Sequence, residues 1–226
     1  MKKRYIRHAS ELVTCKGSAP KHGKEMSDIG LIKDGAVIIH DDKIVAVGTT
    51  EELDKQINDE YEVIDATGKT VMPGFVDSHT HFIFGGYRAD EFSWRLKGDS
   101  YMSIMERGGG INATVVPTRE ASLEELMETG EERLNRMLEF GVTTVEGKSG
   151  YGMDCETELK MLRAMKNLNE KHPVDIVSTF LGPHSVLPEW KGKEKEFLDE
   201  QLNHVMPIVK EEGLAEFADI FTEKNV

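Results

Sequence analysis

Two histidines separated by one residue, His79 and His81, end an apolar segment that begins at Pro73. In an extended strand, residues i and i+2 project from the same face, about 6.5 Å apart along the backbone. Two imidazoles on one face can bind a single metal ion at metal-to-nitrogen distances of about 2.0–2.1 Å. The segment has the composition of a buried parallel strand, and barrel enzymes keep their chemistry at the carboxyl ends of such strands. The spacing therefore predicts a metal site, although two histidines that cap a strand through hydrogen bonds give the same pattern.

Three further polar residues lie in segments rich in glycine or next to predicted strands. Arg88 follows Gly85-Gly86, and its guanidinium matches a carboxylate through two hydrogen bonds. Tyr151 lies between two glycines and offers a phenol donor, while His184 follows the apolar segment Val174–Phe180 and can stabilise an oxyanion. An arginine in a loop is more often a solvated charge, and such a tyrosine often only packs as a lid. The three are therefore candidate ligand-binding residues, and Arg88 would suit a carboxylate.

The elements that must position these residues begin at about residue 69. Strand patterns alternate there with amphipathic helix patterns, which predicts right-handed βα units and a parallel sheet. Ser122 and Glu125 form a capping-box signature ahead of one helical stripe, and Gly141 ends it. Four strands are predicted, starting near Val71, Val142, Val174 and Phe217. A closed barrel of this type has eight. We therefore expect residues 69–226 to form the first half of a barrel, in a truncated chain or in one completed by another polypeptide.

Residues 1–68 predict a small β domain. Short apolar segments alternate with turn residues, and Asp41-Asp42 between two of them predicts a hairpin. Residues 16–30 predict a long loop, and Thr50–Leu53 predicts a short helix with acidic residues in its first turn.

Composition limits the partners. The net charge of −13 makes nucleic acid and anionic membranes unsuitable partners, and an anionic substrate would need a local cation. Polar residues interrupt the N-terminal segment before it reaches the length of a signal peptide, and no segment approaches the roughly 20 apolar residues of a membrane span. The two cysteines, Cys15 and Cys155, lie far apart, which favours reduced thiols. We expect a cytoplasmic protein.

Residues 73–81 resemble the P-G-F-[IV]-D-x-H-x-H signature of the amidohydrolase superfamily, whose members are metal-dependent hydrolases on a TIM-type barrel. Within that superfamily, the chain resembles the imidazolonepropionase family along essentially its whole length. The segments that carry this second resemblance are Phe84–Phe92, Arg95–Gly98, Tyr101-Met102, Gly108–Ile111 and Glu146–Gly152.

The resemblance implies an α/β fold: a partial TIM-type (β/α) barrel preceded by a small β-sandwich domain, which the family's C-terminal segment completes. It implies hydrolysis of 4-imidazolone-5-propanoate to N-formimidoyl-L-glutamate in histidine degradation, with one zinc or iron ion on His79 and His81. Arg88 and Tyr151 would bind the propanoate, and His184 would bind and act at the ring. In the family, a third histidine, an acidic residue and an aspartate ligand follow from later strands. We therefore expect little turnover from this chain alone, and either a homodimer or a complementary C-terminal half as its protein partner.

Two alternatives stay open. Another amidohydrolase, such as a cytosine or guanine deaminase, shares the H-x-H pair, but residues 85–88 and 146–152 argue against it. The other alternative is a non-catalytic half-protein that acts by pairing with a complementary chain.

Lys148 matches the carboxylated lysine of two-metal amidohydrolases less well, because the resemblance is to a one-metal branch. Gly108–Gly110 lacks the lysine and the preceding strand of a phosphate-binding loop.

Overall fold

The computed structural model describes residues 2–222, and the chain divides into two compact units at Pro73. The first unit has five strands and one short α-helix. In chain order these are β1 (Lys3–Val13), β2 (Leu31–His40), β3 (Lys43–Thr49), α1 (Thr50–Leu53), β4 (Tyr61–Asp65) and β5 (Thr70–Val71).

A single sheet with the order β3-β2-β1-β4 forms this unit, and β5 also pairs with β1. Strands β2 and β3 are antiparallel and meet at Asp41-Asp42, so the predicted hairpin is confirmed. Thr49 and Glu52 cap α1 reciprocally, which confirms the predicted short helix. Tyr5 is buried in one apolar cluster of the unit, where its hydroxyl donates to Asp54 at 2.9 Å.

The second unit alternates strands and helices. In chain order these are β6 (Phe75–Thr80), α2 (Ala89–Leu96), α3 (Tyr101–Glu106), α4 (Asn112–Glu120), α5 (Leu123–Glu139), β7 (Val142–Lys148), α6 (Cys155–Asn169), β8 (Asp175–Phe180), α7 (Glu194–Glu200), a π-helical turn (Gln201–Val205), α8 (Met206–Glu212) and β9 (Phe217–Ala218). The strands form a parallel sheet in the order β6-β7-β8-β9. Parallel strands joined by helices confirm the predicted α/β fold and partial barrel.

Helices α5 and α6 cover one face of this sheet. The predicted capping box opens α5, since Ser122 Oγ accepts the Glu125 N–H at 3.1 Å while Glu125 accepts the Ser122 N–H at 2.8 Å. Leu126 and Leu134 of α5 are fully buried. Four residues of α6 recur at helical spacing, which predicts an apolar face, and they are buried against α5 and against β7 and β8: Leu159, Leu162, Met165 and Leu168. This core supports the strands that carry the polar residues.

The structure differs from the sequence expectations in three places. Strand β6 was expected to be buried, yet Phe75 and Val76 are 52% and 67% exposed, because β6 lies at an edge of the sheet. The helical pattern over residues 194–212 contains Pro207, which predicts an interruption there. In the structure Pro207 lies in the first turn of α8, where its missing N–H is tolerated, and the irregularity is the π-helical turn before it. Helices α2 and α4 were not predicted, since they are short and lie beside glycines.

Among residues 2–222, the structure has no helix of the length and apolarity that a membrane crossing requires.

Candidate functional site

The paired histidines lie at the end of β6. His79 is in the strand with an exposed side chain, and His81 follows the strand and is half-buried. Thr80, between them, donates to the Glu146 carbonyl at 2.7 Å. His79 is close enough to His81 for its charge to contribute to lowering the pKa of His81. The segment after them is fixed in the core by Phe82 and Ile83, which are fully buried.

Three rings from three consecutive strand ends meet here, and we call them the ring cluster: His81, Tyr151 and His184. The His81 and His184 rings are stacked, with centroids 4.8 Å apart and an interplanar angle of 6°. Tyr151 lies 4.8 Å from His81 and 5.6 Å from His184, and Phe84 meets the Tyr151 ring edge-on at 5.8 Å. Three of the residues singled out from sequence are thus brought together.

The His184 ring is oriented by the loop that carries Tyr151. Its Nδ1 lies 2.8 Å from the Gly150 carbonyl oxygen. A carbonyl oxygen can only accept, so Nδ1 carries the proton. Burial lowers the pKa of His184, which favours the neutral ring. In that form Nε2 has a free lone pair and accepts a hydrogen bond, whereas donation to an oxyanion would need the protonated imidazole.

The chemistry of His81 suits a metal ligand. Burial, together with the neighbouring His184, lowers the pKa of His81 to about 3, so the ring is neutral and keeps a lone pair at pH 7. Its Nδ1 is buried and has no hydrogen-bond partner among residues 2–222. Such an atom is costly unless it meets a ligand or water. Residues 2–222 contain no group of three or more metal-binding side chains, so two imidazoles are what the described part of this chain offers to an ion.

Arg88 immediately precedes α2 and lies within electrostatic range of Tyr151. Burial raises the pKa of the Tyr151 phenol, and the positive charge of Arg88 acts in the opposite direction. The Arg88 Nε is 3.9 Å from the carboxylate of Glu91, a residue that is only 5% exposed. Glu91 also accepts the Gly110 N–H at 2.7 Å. The guanidinium is therefore held near the ring cluster by a buried carboxylate.

Two charged groups next to the site were not identified as functional from sequence. Lys148, at the end of β7, contacts Asp219 at 2.8 Å and Glu146 at 3.1 Å. Burial acts to lower the pKa of Lys148, but its hydrogen bonds to Asp219 and Glu146 outweigh burial and raise it. A lysine held as an ammonium ion is not the neutral amine that carboxylation requires. The i, i+2 spacing of Glu146 and Lys148 was the available sequence signal, but their partner Asp219 lies 71 residues from Lys148.

The second of these groups is Glu158, in the first turn of α6. Its side chain is completely buried and accepts backbone N–H groups from the loop that carries Tyr151. In the sequence, Glu158 is one of several glutamates in a helical pattern. Its hydrophobic neighbours give no indication that its carboxylate binds the loop amides.

Comparison with known proteins shows what the chain is similar to. A family profile described as "Amidohydrolase family" matches residues 62–110. Proteins named imidazolonepropionase are similar over nearly the whole chain. The relative from Parabacteroides distasonis is 55% identical, over 98% of this chain and 53% of its own length. The relative from Clostridium tetani is 50% identical, over 98% of this chain and 53% of its own length. The relative from Geobacillus sp. (strain WCH70) is 51% identical, over 100% of this chain and 54% of its own length.

Solved structures show the same fold at low sequence identity. E. coli guanine deaminase matches with a TM-score of 0.61 and 16% identity, over 96% of this chain and 45% of its own. A zinc complex of atrazine chlorohydrolase from Arthrobacter aurescens matches with a TM-score of 0.52 and 15% identity, over 95% and 45%. The profile match over residues 62–110 and the relatives at 50–55% identity show that the chain is similar to the amidohydrolase family. Within that family it matches the imidazolonepropionases, and it spans about half the length of these relatives.

Proposed function

We propose that this chain provides the metal-binding and substrate-binding half of an imidazolonepropionase, which hydrolyses 4-imidazolone-5-propanoate to N-formimidoyl-L-glutamate. The observation that carries the proposal is the ring cluster, in which His81, Tyr151 and His184 converge from three strand ends beside Arg88. Identity of 50–55% to proteins of that name supports the choice of substrate. The proposed domain boundary is at residues 68/69, with the small β domain before it.

His79 and His81 would hold the metal ion, either zinc or iron, both of which suit imidazole ligands. When bound, such an ion polarises a carbonyl oxygen and lowers the pKa of a coordinated water. The orphaned Nδ1 of His81 and its neutral ring support this role. The remaining ligands and the general base would come from a complementary segment, as the family resemblance implies.

The substrate has a negative propanoate tail and a polar ring, and the site offers a matching group for each. Arg88 would bind the tail carboxylate through its guanidinium, with the Tyr151 phenol donating a further hydrogen bond. These local donors matter because the net charge of −13 repels an anionic ligand.

His184 would bind the ring and assist at the reacting carbon. With its Nδ1 proton committed to Gly150, the neutral imidazole accepts a ring N–H at Nε2. The water that adds to the ring carbon gives up one proton and the leaving nitrogen must gain one, so Nε2 would carry a proton from the water to that nitrogen as the ring C–N bond breaks. The tautomer that the Gly150 carbonyl selects is therefore the one this role needs.

A complementation assay tests the proposal. The chain would be mixed with the C-terminal half of the Parabacteroides distasonis relative, with zinc or iron added, and substrate loss followed by absorbance. We expect turnover only from the mixture, and a loss of about 10²-fold or more with His79→Asn or His81→Asn, because each removes a ligand. An exposed control, Lys97→Gln, should leave turnover unchanged.

Two results would contradict the proposal. One is a stable mixed complex that binds metal but does not hydrolyse the substrate. The other is turnover by the 226-residue chain alone at the rate of the intact relative, since that would place every essential group in this half. We further propose a cytoplasmic location, supported by the two unpaired cysteines, Cys15 and Cys155.

A further inference from the structure

The loop that carries Tyr151 has almost no regular structure of its own. It connects β7 to α6, and two of its residues, Gly150 and Met153, have positive φ angles of 102° and 54°. Left-handed backbone at a residue other than glycine is unfavourable unless surrounding contacts impose it. Something outside the loop must therefore hold the conformation that brings the Tyr151 ring to His81.

Glu158 makes those contacts. Its carboxylate accepts the N–H groups of Gly150 at 2.9 Å, Gly152 at 2.9 Å and Met153 at 2.8 Å. Residues in a helix direct their side chains toward its N-terminus, so a glutamate in the first turn of α6 points back into the preceding loop. The donors lie on both sides of Tyr151 in the chain.

The loop carbonyls are held by different residues. Arg119 Nε donates to the Gly152 carbonyl at 2.9 Å, and His184 Nδ1 donates to the Gly150 carbonyl at 2.8 Å. Space is also limited, since a Cβ built on Gly150 would lie 2.6 Å from the Leu181 carbonyl oxygen. The loop is thus fixed by its amide groups on Glu158 and by its carbonyl groups on the other two residues.

Among residues 2–222, the hydrogen bonds of the Glu158 side chain all go to residues 149–153 of this loop. It is 0% exposed, and burying a carboxylate is expensive unless hydrogen bonds compensate. The helix end does not need it, because Asp154 already caps α6 by accepting the Thr157 N–H at 2.7 Å. The conformation of the loop therefore accounts for this buried acid.

We propose that Glu158 is a positioning residue, which fixes the Tyr151 ring against His81 and His184 by accepting the N–H groups on both sides of it. That this ring then meets a substrate rests on the function proposed above, but the placement of the ring does not.

The test uses Glu158→Leu, which keeps the bulk and removes the acceptors, in the full chain. We expect amide hydrogen exchange at Gly150, Gly152 and Met153 to accelerate by about tenfold to a hundredfold, since three buried donors lose their partner. The ring ¹H–¹³C resonances of His81 and His184 should shift toward those of Tyr151→Leu, because the Tyr151 ring current no longer reaches them. Imidazole-4-propanoate, a stable probe with the same tail, should bind at least about tenfold more weakly.

Leu162→Ala is the matched control, since Leu162 lies one turn further along the same helix and is also fully buried. It destabilises α6 but should leave the three amides and the histidine resonances unchanged under conditions where both variants are folded. If Glu158→Leu does not fold, Glu158→Gln replaces it. The amide oxygen then serves Gly152 and Met153, and its NH₂ opposes the Gly150 N–H, so the Gly150 amide and the His184 resonance should change first.

Histidine resonances that stay at wild-type positions in the Glu158 variants, or that move equally in Leu162→Ala, would overturn the proposal. So would probe binding by the wild type that Glu158→Leu leaves unaltered. A wild-type chain that does not bind the probe, yet shows the exchange and resonance changes, would contradict the proposed function and leave the positioning role supported.

Discussion

At the scale of single residues, the surroundings of each histidine decide what its ring can do. Sequence placed His81 and His184 near strand ends, but not which ring atom would be available. The Gly150 carbonyl takes the Nδ1 proton of His184, and burial keeps the ring of His81 neutral. Both effects depend on residues brought together by the fold, so the candidate ligands were predictable from spacing and their protonation was not.

The His184–Gly150 hydrogen bond predicts different outcomes for two substitutions. The amide nitrogen of an asparagine occupies nearly the position of Nδ1, so His184→Asn should keep the bond to the carbonyl. His184→Ala leaves that carbonyl without its donor and should be less stable than His184→Asn by about 1–2 kcal/mol. Urea unfolding of the two variants measures the difference. Equal stabilities would mean that the bond does not form in solution.

The depressed pKa of His81 makes stability depend on pH. Between about pH 6.5 and pH 3 the unfolded chain binds a proton at this residue and the folded chain does not, so stability falls as the pH falls. From pH 7 to pH 5 this amounts to about 2 kcal/mol. In urea unfolding of the metal-free proteins, we expect the wild type to lose about 2 kcal/mol more unfolding free energy from pH 7 to pH 5 than His81→Gln does. Parallel losses in the two proteins would show that the folded-state pKa of His81 is close to normal.

At the scale of elements, local signals were reliable and long-range contacts were not. The capping box at Ser122 and the apolar stripe of α6 depend on neighbours within a few residues, and both appear as predicted. The exposed side of β6 depends instead on which strand lies beside it. The contacts of Glu158 and Arg133 also involve residues outside their own helices. They could not be predicted, because polar residues in a helical pattern are ordinarily assigned to the solvent face of the helix.

Arg133 of α5 connects that helix to the segment after His81. Its Nη1 donates to the carbonyls of Phe82 at 2.7 Å and Phe84 at 2.9 Å, and the guanidinium carbon lies 3.7 Å from the centre of the Phe84 ring. A lysine ammonium can donate to both carbonyls, but it lacks the planar group that stacks on the Phe84 ring. We expect Arg133→Lys to lower the free energy of unfolding by about 0.5–2 kcal/mol in urea titrations, because this stacking is lost.

Arg136→Lys provides the control for this substitution. Arg136 lies on the exposed face of the same helix, with a side chain that is 75% exposed and paired with Glu139 at 2.8 Å. Exposed pairs contribute about 0–1 kcal/mol, so its replacement should change stability little. Comparable losses in both variants would show that Arg133 acts through general helix stability and does not fix the Phe82–Phe84 segment.

At the scale of the whole molecule, the sheet of the second unit has an open edge on each side within residues 2–222. Within residues 2–222, β6 and β9 each pair on one side only. Val76 on β6 and Phe217 on β9 are 67% and 61% exposed. Apolar edges of this kind are templates for pairing with another chain, whether a complementary segment or a second copy. The four predicted strands identified the sheet, but edge exposure followed only from its order.

These edges predict self-association that charge on a strand edge should suppress. We expect the isolated chain to sediment with a weight-average mass that rises with concentration, and Val76→Lys with Phe217→Lys to lower that mass toward 25.4 kDa, because lysine on an edge opposes strand pairing. Phe92→Lys is the matched control: Phe92 is 68% exposed, but it lies on helix α2, whose backbone is paired internally. Sedimentation velocity at a series of concentrations distinguishes the cases. If Phe92→Lys lowers the weight-average mass as much as the edge variant does, association depends on exposed aromatic area in general. If the wild type stays monomeric at every concentration, the open edges are not sufficient to recruit a partner.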